Sequence, residues 1–116
     1  MADTQVATTG EDRPAVTTLP AEIEVSNVLR LCEELSSALS SGATVVIADG
    51  TDTTFCHSIG ARILVLACEQ AAWESIEFRL VVRSHAVRAA LILAGLDGLW
   101  PVYPSLDAAM AADPAW

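Results

Sequence analysis

The apolar positions of this chain fall into two alternating kinds of pattern. Val28, Leu31, Cys32, Leu35, Ala38 and Leu39 recur three and four residues apart, which lines one face of a helix. Ser26 stands where an N-cap belongs, and Gly42 lies just past the end. Thr44-Val45-Val46-Ile47-Ala48 is instead a short unbroken apolar run, as in a strand buried on both faces of a parallel sheet. Asp49-Gly50-Thr51-Asp52 then breaks the pattern as a loop. A second helix is predicted from near Ser58 to about Ala72, with Ile59, Ile63, Leu66, Ala67 and Ala71 as apolar positions. Phe78-Arg79-Leu80-Val81-Val82 predicts the next strand. Ser84 caps a third helix carrying Val87, Leu91 and Ala94, and Gly95 closes it. Trp100-Pro101-Val102-Tyr103 reads as a short extended segment that Pro101 confines to a sheet edge or strand end. Ser105 caps a last, Ala-rich helix through Ala112.

The start of the chain is written less clearly. Residues 1–13 are polar and weakly patterned; Gln5-Val6-Ala7-Thr8 reads as a short edge strand and Thr9-Gly10-Glu11-Asp12 as a turn. Ala15-Val16-Thr17-Thr18-Leu19 is β-branched and predicts a strand, so the two form a hairpin. Strands alternating with helices imply an α/β fold with parallel central strands and right-handed crossovers. Ligands and partners of such sheets meet the carboxyl ends of the strands, here residues 20–27, 49–58 and 83–86.

Composition narrows the class. The 116 residues are 53% hydrophobic, which predicts one domain over 1–116 with a core of its own. Fifteen acidic side chains face six basic ones, for a net charge of −9, and all six basic residues are Arg. Such a balance argues against a nucleic-acid backbone or an anionic membrane surface as partner and favours a partner with a basic face. Met1-Ala2-Asp3-Thr4-Gln5 carries no basic n-region or apolar run, so no secretory signal is read there. The densest apolar stretches are broken by Arg62 and Arg88 and fall short of the ~20 residues of a membrane span. The expectation is a cytoplasmic protein, with Cys32, Cys56 and Cys68 as reduced thiols.

Little in the chain is catalytic. There is no phosphate-cradling Gly motif, and without Lys neither a P-loop nor a Schiff base is available. His57 and His85 stand at the starts of successive helices, but no spacing matches a metal motif, so no metal and no cofactor are expected. Cys56-His57 is read as a thiol buried at a strand end or helix entry rather than as half of a catalytic pair, since such pairs are normally distant in sequence. Asp49 and Asp52 read as solvated turn residues. One stretch stands apart: Phe55-Cys56-His57-Ser58-Ile59-Gly60 follows a strand and opens a helix. Ser58 there is either a helix cap or an accessible target for a protein kinase. A phosphate at that place sits well in the helix dipole and adds about −1.5 to −2 charge to whatever docks on the edge.

Five segments in series resemble a STAS domain, and more narrowly the stand-alone anti-sigma factor antagonists of bacteria. They begin at Thr44-Val-Val-Ile-Ala-Asp, Thr54-Phe-Cys-His-Ser-Ile-Gly, Phe78-Arg-Leu-Val-Val, Ala86-Val-Arg-Ala-Ala-Leu-Ile-Leu-Ala-Gly-Leu-Asp and Val102-Tyr-Pro-Ser-Leu-Asp-Ala-Ala. Thr17-Thr-Leu-Pro-Ala-Glu-Ile-Glu-Val-Ser-Asn27 is similar to the family's strand-to-first-helix segment. The resemblance covers about residues 15–112. It implies a mixed β-sheet of four to five strands, central strands parallel, flanked by about four helices. It also implies a binding protein rather than an enzyme, whose partner is an anti-sigma factor that is itself a serine/threonine kinase with an ATP site. Binding frees the sigma factor; phosphorylation of a Ser or Thr at the second-helix N-terminus, matched here by Ser58, stops binding, and a phosphatase restores it. This chain has His57 where the family usually has Asp, Ile59 where a small residue is usual, and Glu24 where Asp is common.

Three readings follow. In the first, the chain is an anti-sigma factor antagonist with Ser58 as phosphosite and a docking surface of Glu22, Glu24, Asn27, His57, Ser58, Ile59 and Arg62. In the second, it is a diverged STAS scaffold subunit of a larger sensory or lipid-transport complex, without the switch. In the third, it is a small nucleotide- or ligand-binding domain or an enzyme, which requires a concave pocket at the strand carboxyl ends with convergent polar groups.

Overall fold

The apolar runs form strands of one sheet. A computed structural model describes residues 13–96 and 102–112. Strands β1 (Ala15–Thr18), β3 (Val45–Gly50), β5 (Glu77–Val82) and β6 (Val102–Tyr103) lie in the order β1-β3-β5-β6, and every pairing between them is parallel. The expected arm over residues 5–8 and its turn lie outside the described residues. So does the first half of the segment 100–103, whose second half, Val102–Tyr103, is the edge strand foreseen. β3 runs on through Asp49 and Gly50, which were expected in a loop, because both keep pairing with Val81 and Val82 of β5.

A second, two-stranded sheet was not foreseen. β2 (Glu22–Ile23) pairs in parallel with β4 (Phe55–Cys56). The helices are α1 (Val28–Leu39), α2 (Ser58–Trp73), α3 (His85–Leu93) and α4 (Leu106–Ala111). The main core joins Val46, Ala48, Phe78, Leu80 and Val82 of the sheet to Leu31 and Leu35 of α1, Leu64 and Cys68 of α2, and Leu91 of α3. A smaller core of Ile47, Val81 and Ala109 fills the other face under α4. There Arg79, only 2% exposed, pairs with Glu77 at 2.9 Å, donates to the Ala109 carbonyl and lies 6.0 Å from the centre of the Tyr103 ring. A guanidinium at this depth holds only because carboxylate, carbonyl and ring all meet it.

Two local expectations need correction. Ser26 does not cap α1: a 3-10 turn, Val25–Asn27, precedes the helix, and Asn27 Oδ1 accepts from the Glu24 backbone N–H at 2.9 Å. In α2 the buried face is Gly60, Ala61, Leu64, Val65, Ala67, Cys68 and Ala71, whereas Ile59 and Leu66 remain 46% and 45% exposed. This helix is apolar nearly all round, so periodicity does not fix its phase. The small residues turn inward because they allow close approach. Ser84 and Ser105 do cap α3 and α4, accepting from the N–H groups of Val87 and Ala108.

Candidate functional site

The small β2–β4 sheet builds the site. Thr54 N–H donates to the Ala21 carbonyl, and His57 N–H donates to the Ile23 carbonyl, each at 2.8 Å. Glu22 stands opposite Phe55 and Ile23 opposite Cys56. The buried Thr53 hydroxyl donates to the Pro20 carbonyl at 2.9 Å. These bonds lock residues 20–24 beside residues 53–57, some thirty positions later. In a parallel pair, registered side chains share a side. Ile23 and Cys56 therefore point inward together, while Glu22 and Phe55 face out. The first turn of α2 approaches so closely that a Cβ on Gly60 would stand 2.3 Å from Ile23 Cγ2.

Of the seven expected docking residues, the structure gathers six on this edge. Glu22, Glu24, Ser58 and Ile59 are exposed, and Asn27 and His57 half-buried. Asn27 is committed to the fold: its Nδ2 donates to the Glu22 carbonyl at 2.8 Å while its Oδ1 accepts from Glu24. Arg62 is held elsewhere, donating to the Ala94 carbonyl at the end of α3. Asp49 accepts from the Thr51 N–H and hydroxyl, which makes it a turn residue.

The helix cap is not Ser58. His57 is the N-cap, and its Nδ1 accepts from the Ile59 N–H at 3.1 Å. Ser58 is the first helical residue, free of the capping task and exposed. Cys56 does not address the imidazole; its thiol lies 3.5 Å from the His57 carbonyl oxygen. Burial pushes that thiol up from 9.0 to about 11, so it stays protonated near neutrality and is a poor nucleophile. Two edge residues escaped the sequence reading: Phe55 and Val25 are 47% and 58% exposed and, with Ile59, add apolar surface to the segments 22–27 and 55–59. The signal was available for Phe55, an aromatic residue at the head of the stretch that opens α2. Among the described residues, no three His, Cys, Asp or Glu side chains gather into a metal-holding group, and no helix is long and apolar enough to cross a membrane.

Comparison with known proteins supplies a frame for this geometry. The STAS domain family profile matches residues 5–109. The anti-sigma-F factor antagonist RsfB of Mycobacterium tuberculosis, from either of two strains, is 26% identical over 96 residues, covering 83% of this chain and 78% of RsfB. The crystal structure of an anti-sigma factor antagonist from Mycobacterium paratuberculosis superposes with a TM-score of 0.74 at 28% identity, over 84% of this chain and 83% of that one. A Thermotoga maritima structure shares the fold at 19% identity, with a TM-score of 0.69 over 82% and 84% of the two chains.

Proposed function

The chain belongs to the STAS domain family, and from that premise we propose that it is an anti-sigma factor antagonist acting in the cytoplasm. It docks through the edge formed by residues 22–27 and 55–59 onto an anti-sigma factor that is also a serine/threonine kinase, and so frees a sigma factor. Ser58 is the residue that the partner phosphorylates and a phosphatase restores. The observation that carries this reading is the β2–β4 pairing, which sets the acidic Glu22–Glu24 segment beside an exposed serine at the start of α2. A phosphate there leaves the helix intact, since negative charge is favourable at its N-terminus. It changes only the surface that the partner meets. Switching thus needs no refolding.

The test is binding to cognate anti-sigma factors by calorimetry, with wild type, Ser58→Ala and Ser58→Asp. Ser58→Ala should bind as wild type does, and Ser58→Asp should lose tenfold or more, about 1.4 kcal/mol. Equal binding by Ser58→Asp to every partner sinks the switch. The exposed apolar trio Val25, Phe55 and Ile59 favours a second reading, a STAS scaffold that docks constitutively in a larger assembly. Incubation with ATP and each candidate kinase, followed by intact mass, separates the two, because the scaffold gains no phosphate.

A further inference from the structure

We propose that His57 is a proton-sensitive cap, and that its protonation on acidification releases the first turn of α2, the turn that carries Ser58. Nδ1 of His57 accepts from the Ile59 N–H, so this nitrogen keeps a lone pair and the proton of the neutral ring sits on Nε2. The side-chain caps of α3 and α4, Ser84 and Ser105, accept with hydroxyl oxygens, whose lone pairs persist at every working pH. An imidazolium donates at both nitrogens and accepts at neither. Protonation therefore removes the cap bond and also sets a positive charge at the positive end of the helix dipole. His57 is half-buried, so solvent protons reach it.

The ionisable groups around it belong to four elements. Glu22 and Glu24 lie on the segment bonded alongside. The Cys56 thiol, at about 11, stays neutral throughout. Arg62 on α2 is engaged with Ala94. α3, which packs against β4, carries His85 and Arg88. Of these, only His85 shares the imidazole chemistry of His57. The consequence for docking rests on the function proposed above: a loosened Ser58 turn and a new positive charge on an acidic edge weaken binding to a basic partner. The cap itself does not rest on that reading.

The experiment is NMR on the full chain between about pH 5 and 8, in a His85→Gln background. It reads the ring nitrogen shifts of His57 and the hydrogen exchange of the Ile59 amide, corrected for intrinsic rate. Ile59 exchange should rise at least about threefold on acidification, with the midpoint of the His57 ring. His57→Asn, whose amide oxygen caps without titrating, should remove the step. Unchanged Ile59 protection, a midpoint unlike that of the ring, or a step that survives in His57→Asn overturns the proposal. If His57→Asn does not fold, the shared midpoint decides alone. A titrating cap in a chain that no anti-sigma factor binds at any pH upholds the cap and overturns the docking function. Partner affinity that stays flat while the cap titrates overturns the docking consequence.

Discussion

Two helices of this chain end in the same backbone motif with different residues at its tightest point. After α3, Gly95 takes φ +114, its N–H donates to Ile92, and Leu96 N–H reaches back to the Leu91 carbonyl at 2.9 Å. After α2, Ser75 takes φ +59, its N–H donates to Ala72, and Ile76 N–H reaches back to Ala71 at 2.8 Å. Both are Schellman closures, which favour glycine because a Cβ crowds the left-handed conformation. Ser75→Gly relieves that crowding and forfeits a smaller amount through a freer unfolded chain, for a net gain of about 0.5–1 kcal/mol. The check is the urea midpoint, which should rise with an unchanged slope; a fall would mean that the serine side chain holds something more. The same residues show which terminal signals sequence can carry. Gly95 announced the end of α3, whereas Ser75 resembles any loop serine. Ser58 was a reasonable cap by residue type, but the bond belongs to His57, because the N–H of Ile59 finds the imidazole of the residue outside the helix. A cap of unusual chemistry leaves no trace in the pattern.

At the scale of elements, six-residue strands such as β3 and β5 were legible as buried runs, and α1 as a clean amphipathic stripe. β2 and β4 were not, since two residues each cannot display a period and exist only through their pairing with each other. Yet that pairing builds the edge proposed for docking. One mark of it was present: Gly60 inside a helix, where glycine costs about 0.5–1 kcal/mol relative to Ala. The cost is tolerated because α2 must approach Ile23, whose side chain is fully buried and has nowhere to move. Gly60→Ala gains helix propensity and introduces a Cβ 2.3 Å from Ile23 Cγ2, so the overpacking decides the sign, with a net loss of about 1–3 kcal/mol. Chemical denaturation measures it. Amide exchange should locate the damage first at His57, whose N–H is bonded to the Ile23 carbonyl. A variant as stable as wild type, with that amide still protected, would mean the two elements can separate without harm to the edge.

At the scale of the whole molecule, part of the net charge of −9 meets apolar surface at one edge. Glu77 and Arg79 cancel in the lower core, and Asp49 is spent on its turn. Glu22, Glu24 and Asp52 remain exposed around the carboxyl ends of β1, β2 and β3, next to exposed Phe55 and Ile59. An edge of this kind offers a partner two separable attractions. Charge acts at a distance, accelerates encounter and is screened by salt over about 10 Å at 0.1 M. Apolar contact acts only after docking and governs how long the complex lasts. If the anti-sigma factor presents a basic face, raising salt should slow association several-fold while dissociation barely moves. Glu22→Gln with Glu24→Gln should flatten that salt dependence. Phe55→Ala or Ile59→Ala should instead speed dissociation about equally at low and high salt. Stopped-flow or surface-plasmon kinetics resolve the two rates. An association rate indifferent to salt would locate recognition in the apolar trio alone. A phosphate on Ser58 would then have to act by obstructing Ile59 and Phe55 rather than by adding about two negative charges to an edge that already carries several.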